Sequence, residues 1–513
     1  MSFLNPLPES SWDQAKARHF LNRAGFGLPD SRINELLRLG VQGAVNTFVD
    51  VQKIEDPFPE PAWIKENIDV ETMAMSAKLL GKNEGEMLMR QIRQEENQQL
   101  HGLQLWWLKR MKQTTRPLQE KLALFWHGHF ATSAQKIKNA SFNYQLNQIF
   151  RTEGMGNFKT LVTKVGQSPA MLRYLDNMQN VKGKPNENWA RELMELFTLG
   201  IGNYTEQDIK ESARSFTGWT QRNGEFFHNA RQHDFDSKTF MGRTGNFDGN
   251  QILDIIFEQK AVSEFVPKKL WEFFVEEEPS PALVEELSKV FRENHFELAP
   301  LLRAIFLSTA FYSPSAMMNQ IKSPVQLILG LFEELEIPFL DSTEEEEKQA
   351  RGRLLQVAMR QLGQELFLPP NVKGWPGNRA WIDTNTILIR YNLSAFLVNG
   401  VMPQNPKRLE LDEMADSLEV ERIQKRIQKF QNRAPLNAYT FFGPYEGFTL
   451  GEVIDFLTIR FLGKTLDRDQ RDFLIQAFKS GTETSVLSLQ TTTERDLRSV
   501  VHLILSLAEY QLC

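Results

Sequence analysis

Apolar residues recur at helical spacing through most of this chain, and few stretches alternate with the period of two that a half-buried strand needs. Near the start, Ala15, Phe20 and Leu21 lead into RAGFG (23–27), where two glycines can supply the positive φ that closes a helix. Pro29 and Asp30 then open a second helix through Ile33, Leu36 and Leu37, which stops at Gly40. Pro57, Pro59 and Pro61 make 50–61 a loop. From Val70 to Lys112 the chain is rich in Met, Gln and Glu, has no proline and few glycines, and predicts long helix. Met73, Met75, Met87, Met89 and Met111 read there as gap-filling core residues.

Helices also follow around 252–258, 261–274 and 281–293. Between them and the preceding helices, Phe226, Phe227, His228 and the run to Gly242 break helical spacing and predict a β-hairpin or extended loop. Residues 369–381 (PPNVKGWPGNRAW) form a rigid loop with two tryptophans, and the acidic runs 276–278 and 344–347 read as solvated loops or helix starts. The fold class is therefore mainly α: a multi-helical globular array with a small β-hairpin or extended insertion near 224–242. A main helical domain over 1–400 is followed, past a hinge at Pro403–Pro406, by a C-terminal helical subdomain over 401–513. Capping boxes at Thr449/Glu452 and Thr493/Asp496 mark helix starts in that region.

One segment carries more information than the rest. Projected at about 100° per residue, PNENWARELMELFTLG (185–200) places Glu187, Asn188, Arg191, Glu192, Glu195 and Thr198 on one face. Trp189, Ala190, Leu193, Met194, Leu196 and Phe197 take the other side, which predicts a helix with one face in the core. Either the polar face meets water, held by Glu187–Arg191 and Arg191–Glu195 pairs, or it lines a cleft with Glu192 and Glu195 as acid, base or metal ligands. The helix stops at Gly200, and Thr205 and Asp208 cap the next one, which ends at Thr217-Gly218-Trp219.

Histidines supply the second clue. His127 and His129 form an HGH pair, which offers two metal ligands on one face of a strand but diverges by about 200° on a helix. Each is otherwise a structural histidine. His233 and Asp234, followed by Asp236 and Lys238, read either as a mixed His/Asp site or as an Asx-type turn with its charges in water.

Composition narrows the field. The 513 residues carry a formal charge of −6 and 41% hydrophobic content, so a strongly basic nucleic-acid binder is excluded. A single cysteine rules out an intramolecular disulfide and any Cys-based zinc site. The longest apolar runs, such as 327–332, fall far short of the ~20 residues a bilayer requires. No secretory signal is read at the start, so the chain as written is expected to be cytoplasmic, with no membrane and no nucleic-acid partner.

RAGFG (23–27), FWHGHFATS (125–133), AMLRYLD (170–176), NENWARELMELFTLGIGNYTEQD (186–208), SARSFTGW (212–219), HDFDSKTFMG (233–242), KKLWEFFV (268–275), IKSP (321–324) and PPNVKGW (369–375) occur in this order. The series resembles the bacterial family called domain of unknown function 1800. The resemblance covers the chain from about residue 15 onwards and implies no reaction. It maps motif positions onto His127, His129, Asn186, Glu187, Asn188, Arg191, Glu192, Glu195, Thr217, Gly218, Trp219, His233, Asp234, Lys238, Gly374 and Trp375. It also implies, by genomic association, a partner resembling sulfatases and alkaline phosphatases, and frequent export of members.

Two functions follow as expectations. The first is a metal-assisted hydrolase or transferase, with a divalent ion held by His127, His129, Glu187 and His233. Glu192, Glu195, Arg191 and Asp234 would be catalytic, and Asn186, Asn188, Lys238, Trp219 and Trp375 would complete the binding surface. The alternative is a non-catalytic helical accessory protein, whose polar residues form a buried network and whose Trp375/Trp381 loop contacts a partner.

Overall fold

The computed structural model describes residues 2–27, 30–61, 63–64, 70–340, 345–400, 435–479 and 485–513; at helical positions 30, 70–72, 74, 75, 345–347, 349 and 350 it describes the backbone alone. The expected hinge at Pro403–Pro406 lies outside the described residues, as do Pro29 and Glu344. Helices dominate, and the described strands form two small antiparallel two-stranded sheets. The mainly α class is thus the observed one. The insertion is two hairpins rather than one: Trp219–Arg222 pairs with Glu225–His228, and Lys238–Phe240 pairs with Arg243–Gly245.

The chain divides into two compact units. One comprises Met1–Leu7, Gln42–Phe311 and Leu366–Trp375; the other comprises Pro8–Val41, Tyr312–Glu365 and Pro376–Cys513.

The first unit carries the motif helices. Its core is aromatic: Trp126 stacks on Phe130 and Phe158, and Phe130 meets Phe197 edge-on. Beside it lies a buried ionic hub. The Glu120 carboxylate, fully buried, accepts from Arg110 Nε at 2.6 Å, Arg151 Nε at 2.5 Å and Trp107 Nε1 at 2.9 Å. Burial pushes its pKa up, but the two guanidiniums overcome that and hold it below the ordinary glutamate value.

The long helix expected from Val70 to Lys112 is two helices, Val70–Leu79 and Lys82–Gln113, which pack as a hairpin. The break falls at Leu80-Gly81. Gly85 then permits the close approach: a Cβ there would lie 2.4 Å from the Ala77 carbonyl oxygen. Met111 is buried as expected, but Met87 at 61% exposure is not core, because it sits on the outer face of the hairpin tip.

In the second unit, Gly40 adopts φ +69, ψ 171, outside the helical region, so the helix that opens at Asp30 stops there as expected and a second one runs on to Val49. A Cβ on Gly40 would run into the Glu9 carboxylate, which accepts from the Val41 N–H at 3.0 Å. The capping box at Thr449/Glu452 forms in full, whereas Thr493 caps its helix through the Asp496 N–H alone. Lys322, of the IKSP segment, lies 3.7 Å from the Tyr510 ring centre, and the Tyr510 hydroxyl donates to Glu334 at 2.6 Å.

Candidate active site

The segment singled out by its amphipathic pattern is a helix, but not a uniform one. Asn188–Glu192 is α-helical and Leu193–Thr198 is a π turn. In that turn the Leu199 N–H and the Thr198 hydroxyl reach back five residues, to the carbonyls of Met194 (3.0 Å) and Leu193 (2.5 Å). The wider turn shifts the register after Leu193. Thr198, expected on the polar face, is buried, and Leu196, expected in the core, is half-buried. Trp189, Leu193 and Phe197 remain buried as the pattern requires. Single π turns are rare and concentrate at functional sites.

The same shift changes the ion pairs. Arg191 reaches Glu187 at 3.2 Å as expected, but its second partner is Glu206, bound through both terminal nitrogens at 2.9 Å, rather than Glu195. Its charge is therefore already matched twice, which leaves it a strut between this helix and Glu206–Ser215 rather than a free cation for developing negative charge. Glu195 instead accepts from the Tyr204 hydroxyl at 3.1 Å.

Glu192 and Glu195 stand three residues apart and both are half-buried. Burial, then the neighbouring Glu195 charge, raises the Glu192 pKa; Arg191 and Lys373 oppose the rise without cancelling it. Burial also raises the Tyr204 phenol, helped by its bond to Glu195, to about 12, so it stays a donor. Tyr174 is raised by burial and by Glu192. Glu192 and Glu195 thus interact electrostatically with Tyr174, Tyr204 and Lys373. The last three lie inside the quoted AMLRYLD, GIGNYTEQD and PPNVKGW segments, but no spacing rule distinguishes them there.

The histidines are not ligands of a shared ion. The helix Pro117–His129 runs through both, so their rings diverge and find separate partners. His127 is buried, and its Nε2 accepts the Phe367 N–H at 3.1 Å. His129 donates from Nε2 to the Phe197 carbonyl at 3.0 Å. Burial lowers their pKa values to about 3 and about 4, so both are neutral. Between them Gly128 faces the 366–375 loop: a Cβ on Gly374, where φ is +82, would lie 2.1 Å from the Gly128 oxygen. Trp375 meets the His127 ring edge-on, with centroids 5.2 Å apart. The HGH segment thus clamps both flanks of the carboxylate pair: the π turn through His129 and the Lys373 loop through His127.

The His233–Lys238 segment also has an internal explanation. Asp234 Oδ1 accepts the Asp236 N–H at 2.9 Å, which is the Asx turn, and Oδ2 accepts from Arg214 at 2.8 Å. Although burial raises it, the Arg214 bond holds the Asp234 pKa down overall. His233 Nδ1 donates to the Thr217 carbonyl at 2.8 Å, and the buried Lys238 ammonium donates to the Asp234 carbonyl at 2.5 Å. Asp234 is therefore a paired structural anion, not a free base.

Asn186 and Asn188 shape the turn into the helix: Asn186 accepts the Asn188 N–H, and its own N–H reaches Asn180, both at 2.9 Å. Trp219 is core, packed edge-on against Phe216 and Phe226. Among the described residues no group of three or more His, Cys, Asp or Glu side chains could hold a metal ion. The ligand set expected from His127, His129, Glu187 and His233 is not assembled, because each is committed to a partner of its own. Among the described residues, too, no helix is long and apolar enough to cross a membrane.

The model of the family described as "Protein of unknown function (DUF1800)" matches residues 19–512. No curated protein and no solved structure matches the chain.

Proposed function

This chain belongs to the DUF1800 family of proteins of unknown function, and we propose that it is a hydrolase or group-transfer enzyme working by general acid–base catalysis from Glu192 and Glu195. One observation carries the reading: two half-buried carboxylates in and beside a π turn, one with its pKa raised by burial and by the other's charge. Such a pair divides the work. Glu192, holding its proton longer, donates it to the leaving atom as the bond to the transferred group breaks. Glu195, kept in place by the Tyr204 hydroxyl, takes the proton of the attacking water or alcohol. Lys373 offers a cation beside the pair for negative charge that develops on the substrate. His127 and His129 act as positioning groups in this scheme, and no step passes through a metal ion.

The accessory-protein reading needed exposed aromatic anchors. Trp381 is buried and Trp375 is half-buried against His127, so neither supplies one.

The test is turnover of chromogenic esters, phosphomonoesters and glycosides by the purified protein. A substrate should emerge whose kcat falls by about a hundredfold to ten-thousandfold in Glu192→Gln and in Glu195→Gln, with unchanged melting temperatures. Turnover that survives both substitutions would overturn the assignment.

A further inference from the structure

We propose that the tip of the hairpin formed by Val70–Leu79 and Lys82–Gln113 is a docking surface for the anionic face of a lipid bilayer. Two independent features meet there. The first is apolar. Leu79 is 88% exposed, Leu80 45% and Met87 61%, three large side chains thrust into solvent at the end of a helix pair. Of the residues from Lys82 to Ile92, only Gly85 and Ile92 are buried, so this end of the hairpin has little of its surface covered.

The second feature is charge. A concave space of about 500 Å³ opens on the same tip, and Lys78, Lys82, Arg90 and Arg93 stand around it beside Leu80 and Met89. Between residues 77 and 93 the only acids are Glu84 and Glu86, so this span is net positive in a chain whose total charge is −6. Lys78, Lys82 and Arg90 are exposed and form no ion pair with any other described residue, so their charge is available to an outside anion.

Leucines at the acyl boundary with cations at the level of the phosphates is the arrangement that seats a peripheral protein on an anionic leaflet. A free anion would satisfy the basic pocket and leave the three apolar side chains unexplained. A second copy that covered the apolar tip with its own tip would set one basic rim against the other, and the like charges would repel. The bilayer surface accounts for both. It revises the expectation of no membrane partner, which rested on the lack of a spanning segment.

The experiment is flotation of the full chain with vesicles of phosphatidylcholine alone and of phosphatidylcholine with phosphatidylserine. Binding to the phosphatidylserine vesicles only is expected, weakening as salt rises. Lys82→Gln should lower the partition coefficient by about fivefold, and Leu79→Asp with Leu80→Asp should abolish binding. All three positions are exposed, and melts should stay at the wild-type temperature. Equal binding to both vesicle types, binding that survives the leucine substitutions, or no binding would overturn the proposal. So would a dimer that dissociates on Leu79→Asp without vesicle binding, since the tip would then be a self-association surface.

Discussion

Lowering the pH should destabilise this protein through His127 by an amount the structure sets. The ring is buried among Trp107, Phe150, Phe367 and Trp375, and its Nε2 lone pair already accepts the Phe367 N–H. The folded pKa is lowered from 6.5 to about 3 by burial. The sign follows from proton counting. Below pH 6.5 the unfolded chain takes up a proton at this position and the folded chain does not, until about pH 3. Stability present above pH 6.5 is therefore lost progressively as the pH falls. Each unit costs about 1.4 kcal/mol, so about 2 kcal/mol is gone at pH 5 from this residue alone. Urea denaturation of wild type and His127→Gln at pH 7.5, 6.5 and 5 isolates the effect, since glutamine keeps an acceptor but cannot charge. The wild type should lose about 2 kcal/mol more than the variant between the extremes. Parallel loss in the two proteins would refute the reasoning, because His127 would then be charging inside the fold.

Three further outcomes follow from packing and charge. Glu120→Gln should cost about 3–5 kcal/mol in a denaturant titration, because it leaves Arg110 and Arg151 buried without their anion; a loss under ~1 kcal/mol would mean that water or Asp56 compensates. Trp189→Ala should cost about 3–5 kcal/mol, since the indole is 2% exposed and fills the space over Gly166. Trp189→Phe should cost much less, because the indole N–H has no hydrogen-bond partner among the described residues, and comparable losses would show that this N–H is satisfied after all. Gly374→Ala should cost about 1–3 kcal/mol from the positive φ alone and push the loop off Gly128, carrying Lys373 away from Glu192. A crystal structure of that variant with the loop unmoved would contradict the clamp.

How far the sequence reaches differs from residue to residue. The helix bearing Glu192 and Glu195 was readable because Trp189, Leu193 and Phe197 repeat on one face. A fixed rotation per residue has no room for the π turn, so it puts Thr198 on the polar face and pairs Glu195 with Arg191 rather than Tyr204. The two readings of Asp234 were both legible, and the Asx turn is the one its hydrogen bonds express. The histidines show where local pattern stops. What decides the state of His127 is burial, and its packing partners include Phe367, 240 positions further along the chain, which no spacing within HGH contains. Likewise the break at Leu80-Gly81 depends on Ala77 packing against Gly85, a contact between two helices rather than a property of either.

The central claim is that Glu192 and Glu195 share one electrostatic environment in which Glu192 keeps its proton above the ordinary glutamate range. Carbon-13 NMR titration of the glutamate side-chain carboxyls, in wild type and in Glu195→Gln, measures it directly. Glu192 should titrate above 4.5 in the wild type and move down when the Glu195 charge is removed. A Glu192 carboxyl that titrates at or below 4.5, and does not respond to Glu195→Gln, would contradict the account.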